Sequence, residues 1–212
     1  MKRNITTERL TLRPFALGDE EAVLRIFGYA EAKLTCNIGI NDIEDACTFI
    51  YGTVYLGRNT NLVAIERRDN GEVIGAISCY DMPLDRGCHA DHPTTWVIGY
   101  VLDKDMWNKG YATEIVRGVI SNLFENGHAE RVLLNIADWN WRSKHVARKC
   151  GFERMGENKR GGHIYQATRE NYFTTRFTPR FDDDRKNPAV RIQHWQGMPK
   201  GEDIQIQNAM TA

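Results

Sequence analysis

Leu10 and Leu12 alternate with Arg9, Thr11 and Arg13, a period-two pattern that predicts a strand between Thr7 and Phe15. Asp19 followed by Glu20 and Glu21 reads as a helix start, because acids are favoured at the positive end of the helix dipole. Ala22, Val23, Ile26 and Phe27 supply that helix's apolar stripe. Ile43, Cys47, Ile50 and Val54 repeat at helical spacing after Asn41 or Asp42, predicting a second helix. Two apolar runs, Asn61 to Arg67 and Glu72 to Tyr80, flank Asp69-Asn70-Gly71; Asn-Gly between such runs is a strong hairpin signal. A strand from Thr95 to Leu102, a helix from Tyr111 to Glu125, a strand from Arg131 to Ile136, a helix from Trp141 to Lys149 and a strand from Phe152 to Gly156 complete the pattern. Ile115, Val116, Val119, Ile120 and Leu123 share one face, which makes the Tyr111–Glu125 helix the most strongly specified element.

The period fades near Thr174. Phe181-Asp182-Asp183-Asp184-Arg185-Lys186-Asn187-Pro188 is polar and charge-dense, and few apolar anchors follow it. The pattern therefore predicts a domain over residues 1–173 and a polar tail over 174–212, loosely ordered or docked on a partner.

Composition narrows the function. Lys+Arg 28 equals Asp+Glu 28, so the formal charge is zero and nonspecific nucleic-acid binding, which needs phosphate neutralisation, is disfavoured. No apolar run nears the roughly 18 residues of a membrane span, and Met1-Lys2-Arg3-Asn4-Ile5-Thr6 lacks a signal-peptide core. Five cysteines without a CxxC pair read as reduced thiols, as expected of a cytoplasmic protein.

The chemistry-bearing stretch is Ile98-Gly99-Tyr100-Val101-Leu102 followed by Met106-Trp107-Asn108-Lys109-Gly110-Tyr111-Ala112-Thr113-Glu114. A strand ends, a short glycine-containing loop follows, and an amphipathic helix begins. A helix start offers unpaired N–H groups and partial positive charge, and a glycine there lets an anion approach the backbone. Taken alone, a single glycine before a helix is more often simple turn chemistry. The second stretch is Asp138-Trp139-Asn140-Trp141-Arg142-Ser143, with Gly151-Phe152 after it. Asn140 suits a helix N-cap and Gly151 a helix C-terminus.

Together with Thr7-Glu8-Arg9-Leu10-Thr11-Leu12-Arg13-Pro14, these stretches resemble the GNAT superfamily of acyl-CoA N-acetyltransferases, within it the ribosomal-protein-alanine (RimJ/RimL-like) branch, over roughly residues 5–158. The resemblance implies an α/β (α+β) architecture, a mixed and strongly bent sheet of about six to seven strands flanked by about four helices, with splayed fourth and fifth strands. It implies acetyl-CoA as cosubstrate, its pantetheine arm along Tyr100, Val101 and Leu102, and its pyrophosphate on the N–H groups of Asn108, Lys109, Gly110, Tyr111, Ala112 and Thr113. Lys109 would add a charge-assisted phosphate contact. Asn140 would contact the pantetheine or acetyl region, and Ser143 would sit near the sulfur and protonate the leaving thiolate. The implied reaction is direct transfer to a primary amine, a protein N-terminus or a small molecule, in a monomer or homodimer without metal.

The chain departs from the branch at three positions. Asn108 and Met155 replace a usual glycine and a usual glutamate, and no acid precedes Ile98-Gly99-Tyr100. The base is therefore unassigned. Glu114 is a candidate base or simply a first-turn acid; Asp138 and Tyr80 are weaker candidates. These gaps motivate an alternative, a catalytically silent acyl-CoA-binding module. Asp85-Arg86-Gly87-Cys88-His89-Ala90-Asp91-His92-Pro93 carries zinc-compatible residue types, but in one short loop with no second ligand pair, so a polar loop bordering the acceptor groove is expected there.

Overall fold

Strand β1, Leu10–Arg13, buries Leu10 and Leu12 on one face while Thr11 and Arg13 stay partly exposed. The computed structural model describes residues 5–36, 38–59, 61–81, 94–158 and 161–175. Next come helices α1 (Glu20–Phe27), α2 (Ala30–Cys36) and α3 (Ile43–Val54), then strands β2 (Leu62–Arg67), β3 (Val73–Asp81) and β4 (Thr95–Leu102). A single 3-10 turn, Lys104–Met106, leads to α4 (Tyr111–Glu125), β5 (Arg131–Ala137), α5 (Trp141–Lys149), β6 (Glu153–Glu157), β7 (Gly162–Thr168) and α6 (Arg169–Thr175). The segment Asp85–Pro93 and the tail beyond 175 lie outside the described residues.

The seven strands form one mixed sheet in the order β1-β2-β3-β4-β5-β7-β6. The predicted hairpin is present: Gly71 takes a left-handed φ of +73° and Arg67 receives and returns hydrogen bonds across the turn. Two elements differ from the sequence reading. Thr7–Arg9 is not strand but a turn whose N–H and hydroxyl groups bond to Leu10 and Glu114. Asp19 precedes α1 without capping it, because Arg13 and the Ala16 N–H claim its carboxylate. Asp42, by contrast, caps α3 by accepting from the Asp45 N–H at 2.9 Å.

Two apolar layers cover the sheet's faces. Ala22, Val23, Ile26 and Phe27 of α1 pack with Ile50 of α3 over Ala64, Ala76 and Val101. On the other side, Ile115, Val116, Val119, Ile120, Leu123 and Phe124 of α4 are fully buried against Ile65, Ile77, Ile98 and Val132. At about 1.5–3 kcal/mol for each such side chain, this stripe holds α4, and with it the loop before it, in fixed register on the sheet.

Candidate functional site

Parallel pairing between β4 and β5 is confined to Thr95↔Arg131, Trp96↔Val132 and Val97↔Leu133. Beyond Val97, β4 pairs with β3 alone, so Ile98–Leu102 turns an open edge toward the gap. Tyr29 and the Trp107 indole N–H both donate to the carbonyl of Leu102, at 2.8 and 3.1 Å, and so tie α2 and the loop before α4 to the end of β4. Buried Asp103 accepts from Arg25 at 2.9 Å and from the Asp105 N–H at 3.1 Å, which fixes the turn leaving the strand. A cavity of about 340 Å³ occupies this region. Of the residues expected from sequence, Tyr100, Val101, Leu102, Asn108, Gly110, Tyr111, Ala112, Thr113, Asn140 and Ser143 line it; Lys109 and Glu114 do not.

The loop before α4 is shaped to take an anion. Gly110, the residue before the helix, has φ +83° and provides no side-chain cap. Asn108 has φ +59°, so asparagine, the non-glycine residue most tolerant of that region, adopts the left-handed geometry itself. Among the described residues, none of the backbone N–H groups from Asn108 to Thr113 donates to a protein acceptor. Unpaired donors at a helix's positive end are the physical requirement for holding a phosphate.

Lys109 is not among the lining residues, and its Nζ lies 3.9 Å from the Met106 sulfur. The cations that do line the cavity are Arg142 and Lys149, on α5. Glu114 accepts from Thr7 Oγ1 at 2.6 Å, the Arg9 N–H at 2.8 Å and Arg9 Nε at 2.6 Å. Arg9 also donates to the Lys109 carbonyl at 3.0 Å and stacks over the Tyr111 ring at 4.5 Å. The two residues thus clamp the phosphate-type loop to the turn before β1.

Burial opposes ionisation of Glu114, but the hydrogen bonds from Thr7 and Arg9 outweigh it and hold the carboxylate below its ordinary 4.5. A depressed folded-state pKa contributes stability that is present above the unfolded value and lost as pH falls through the folded one. Glu114→Gln is therefore expected to be less stable than wild type near neutrality, with the difference shrinking below about pH 4.5. Urea denaturation of both proteins at the two pH values checks this; a gap independent of pH contradicts it.

Across the cavity, the Asn140 side chain accepts from the Ser143 N–H at 3.1 Å and so caps α5. Asp138 is exposed, and its Oδ1 pairs with Lys144 at 2.6 Å and His163 at 2.8 Å, interactions that hold its carboxyl below the ordinary carboxylate value. Neither Asp138 nor Tyr80 lines the cavity. Burial pushes the Cys79 and Cys150 thiols up to about 12, so both are protonated near neutrality.

Sequence reasoning missed the aromatic side of the cavity. Arg142 is sandwiched between Trp107, at 4.6 Å, and Trp141, at 4.7 Å, and Trp107 meets Tyr29 edge-on at 5.8 Å. Glu31 of α2 is the carboxylate among the lining residues and pairs with Lys104 at 3.1 Å. The short α2 carries no clear apolar period, so no sequence signal pointed to Tyr29 or Glu31. Trp107 and Arg142 lay inside the quoted motifs, but without a contact to suggest their pairing.

A mixed sheet parted between β4 and β5, with free donors at the following helix, is the framework of an acyl-transferring enzyme. The sequence profile described as "Acetyltransferase (GNAT) domain" matches residues 9–153, and the chain belongs to that family. It is 28% identical over 153 residues to the uncharacterized N-acetyltransferase YnaD of Bacillus subtilis (strain 168), covering 72% of this chain and 84% of that one. A GNAT-family acetyltransferase structure from Bacillus anthracis superposes with a TM-score of 0.64 at 22% identity, covering 79% of this chain and 99% of that one. The aminoglycoside acetyltransferase AAC(6')-Ib, solved with coenzyme A, does so at 0.59 and 20% identity, covering 79% and 99%. No helix among the described residues is long and apolar enough to cross a membrane.

Proposed function

We propose that the chain moves the acetyl group of acetyl-CoA directly to a primary amine with both substrates bound, as a cytoplasmic enzyme of the RimJ/RimL-like branch. The observation that carries this reading is the run of unpartnered N–H groups from Asn108 to Thr113 beside the parted strands. A pyrophosphate satisfies those donors, and Arg142 and Lys149 add charge beside it in the role sequence assigned to Lys109. The open edge of β4 offers main-chain groups from Tyr100 to Leu102 to the amides of a pantetheine arm.

In the reaction, the amine nitrogen bonds to the thioester carbon and the carbon–sulfur bond breaks. The proton lost by nitrogen ends on sulfur. Ser143 supplies a hydroxyl to the departing sulfur, and the Asn140 amide donates to the acyl or pantetheine region. Glu31 takes the part of acceptor recognition, an ionised carboxylate among aromatic faces suited to an incoming ammonium. The raised Cys79 and Cys150 thiols fit direct transfer, because a protonated thiol is a poor nucleophile.

Both a protein N-terminal α-amine and a small-molecule amine satisfy this chemistry. A structure from Vibrio cholerae provisionally described as a ribosomal-protein-serine acetyltransferase superposes at TM-score 0.61 and 18% identity over 79% of this chain and 98% of that one. Release of free thiol from acetyl-CoA is the test, run against α-amino peptides, polyamines, amino acids and aminoglycosides. Acetyl-CoA-dependent turnover with one class is expected. Binding of acetyl-CoA without transfer to any amine would instead support the silent acyl-CoA-binding module.

A further inference from the structure

Helix α3 is apolar on two sides, and the core takes only one of them. Ala46 and Ile50 are fully buried, and Phe49 meets Phe15 edge-on and Phe27 at a tilt, both at 5.8 Å. On the other side Ile43, Cys47, Tyr51, Val54 and Tyr55 follow one another at helical spacing, and all five are exposed, Tyr51 to 56% and Tyr55 to 59%. The two tyrosine rings lie 5.1 Å apart, and exposed Leu56 follows them. Of the four apolar positions that mark this helix in the sequence, Ile43, Cys47, Ile50 and Val54, only Ile50 reaches the core. A helix apolar on both sides belongs in an interior, and a contiguous exposed patch of this kind marks an interaction surface. No α3 residue lines the cavity, so this surface is separate from the candidate site.

Symmetry and charge select the occupant. The stripe is balanced about Phe49: Ile43 and Tyr55 stand six residues to either side, Cys47 and Tyr51 two. A second α3 laid antiparallel across a two-fold axis therefore sets Ile43 against Tyr55 and Cys47 against Tyr51, each pair occurring twice. The charges have the same polarity. Asp42, Glu44 and Asp45 stand at the start of the helix, its last turn has no basic residue, and Arg58 follows its end. The Arg58 side chain lies back along the helix, its Cδ 3.3 Å from where a Cβ on Gly52 would stand. Antiparallel pairing brings the Arg58 end of each copy to the Glu44 end of the other, whereas parallel pairing sets like charges side by side. Glu44 and Arg58 are exposed, and among the described residues neither forms an ion pair. A lipid surface does not fit, because a helix lying on one carries basic residues beside its apolar face, and this one carries acids.

We propose that the outer face of α3 is an isologous dimer interface, covered by the α3 of a second copy of this chain in antiparallel register. The contact involves one helix of 12 residues, about 18 Å long, from each copy. That is the small end of specific interfaces, so the dissociation constant falls on the order of 10 µM. The proposal stands independently of the acetyl-transfer reading, since it uses none of the cavity residues.

Sedimentation equilibrium of the full chain, from about 1 to 200 µM, tests it. The wild-type apparent mass is expected to rise with concentration from 24.3 kDa toward twice that value. Tyr51→Arg should weaken the dimer by about tenfold or more, because it places a charge at the centre of the apolar stripe. Its far-ultraviolet circular dichroism should match wild type, since Tyr51 is exposed in the single chain. Glu44→Arg should weaken the dimer about fivefold, each contact being made twice, and adding Arg58→Glu should restore it to within about twofold. A dimer that Tyr51→Arg leaves intact overturns the α3 interface, and a double variant that regains nothing overturns the antiparallel register. Wild type at 24.3 kDa over the whole range overturns the proposal outright. In that event nitration by tetranitromethane, mapped by mass spectrometry, names the other occupant. Shielded Tyr51 and Tyr55 would assign the face to the chain's own residues 176–212, and freely nitrated ones to a different protein.

Discussion

Gly110→Asp is expected to fold and to lose about 100-fold or more of its affinity for acetyl-CoA, roughly 2.7 kcal/mol. The fold survives because aspartate is among the few residues that visit the left-handed region, where Gly110 lies at φ +83°. A Cβ there meets only the flexible Arg9 Nη2, at 3.3 Å, which can yield. The affinity is lost because the new carboxylate sits beside the unpartnered N–H groups from Asn108 to Thr113. A negative charge there neutralises the helix's positive end and repels a pyrophosphate. Calorimetric titration with CoA, beside a thermal melt to establish folding, makes the measurement. A folded variant with wild-type affinity would remove the loop from the binding role.

Gly75→Ala should cost about 1–3 kcal/mol, the range for forcing extra volume into a packed interior. In a chain of this size that lowers the melting temperature by roughly 2–12 °C. Gly75 sits on β3 opposite Leu102, and an added Cβ would lie 2.5 Å from both Leu102 Cδ2 and the Val101 carbonyl. A side chain can rotate aside, but a carbonyl in the β3–β4 ladder cannot move without breaking the ladder. Val101 and Leu102 also line the cavity, so CoA binding should weaken in parallel with the melt. A melting temperature within about 1 °C of wild type would show that the ladder gives way more easily than its geometry implies.

Much of this architecture is written in local pattern. The α4 stripe from Ile115 to Leu123, the Asp69-Asn70-Gly71 hairpin and the helix start near Asn41 or Asp42 depend on neighbours a few residues away, and the structure bears them out. Strand β7 and the short helices α2 and α6 escaped notice. In β7, polar His163 stands at the inward parity of Tyr165 and Ala167 and apolar Ile164 at the outward one, which blurs the alternation, and the strand is held by its pairing with both β5 and β6. Helix α2 is seven residues long, too short for a stripe to declare itself, and rests on α1 and β4.

The motif stretches, a strand end, a left-handed loop and a capped helix, mark the loop before α4 and Asn140 in the sequence because backbone geometry there is a local matter. What tertiary structure alone decided is which side chains face the cavity. Glu114 matches the motif yet is drawn off by Thr7 and Arg9, more than a hundred positions earlier in the chain. Lys109 is absent from the cavity lining, while Arg142 lines it and stacks on two tryptophans. Tyr100 lines the cavity three residues past the last β4–β5 pair. Periodicity and caps are read over a few residues, but side-chain direction and burial are set by contacts between distant segments, which exist only once the chain has closed on itself.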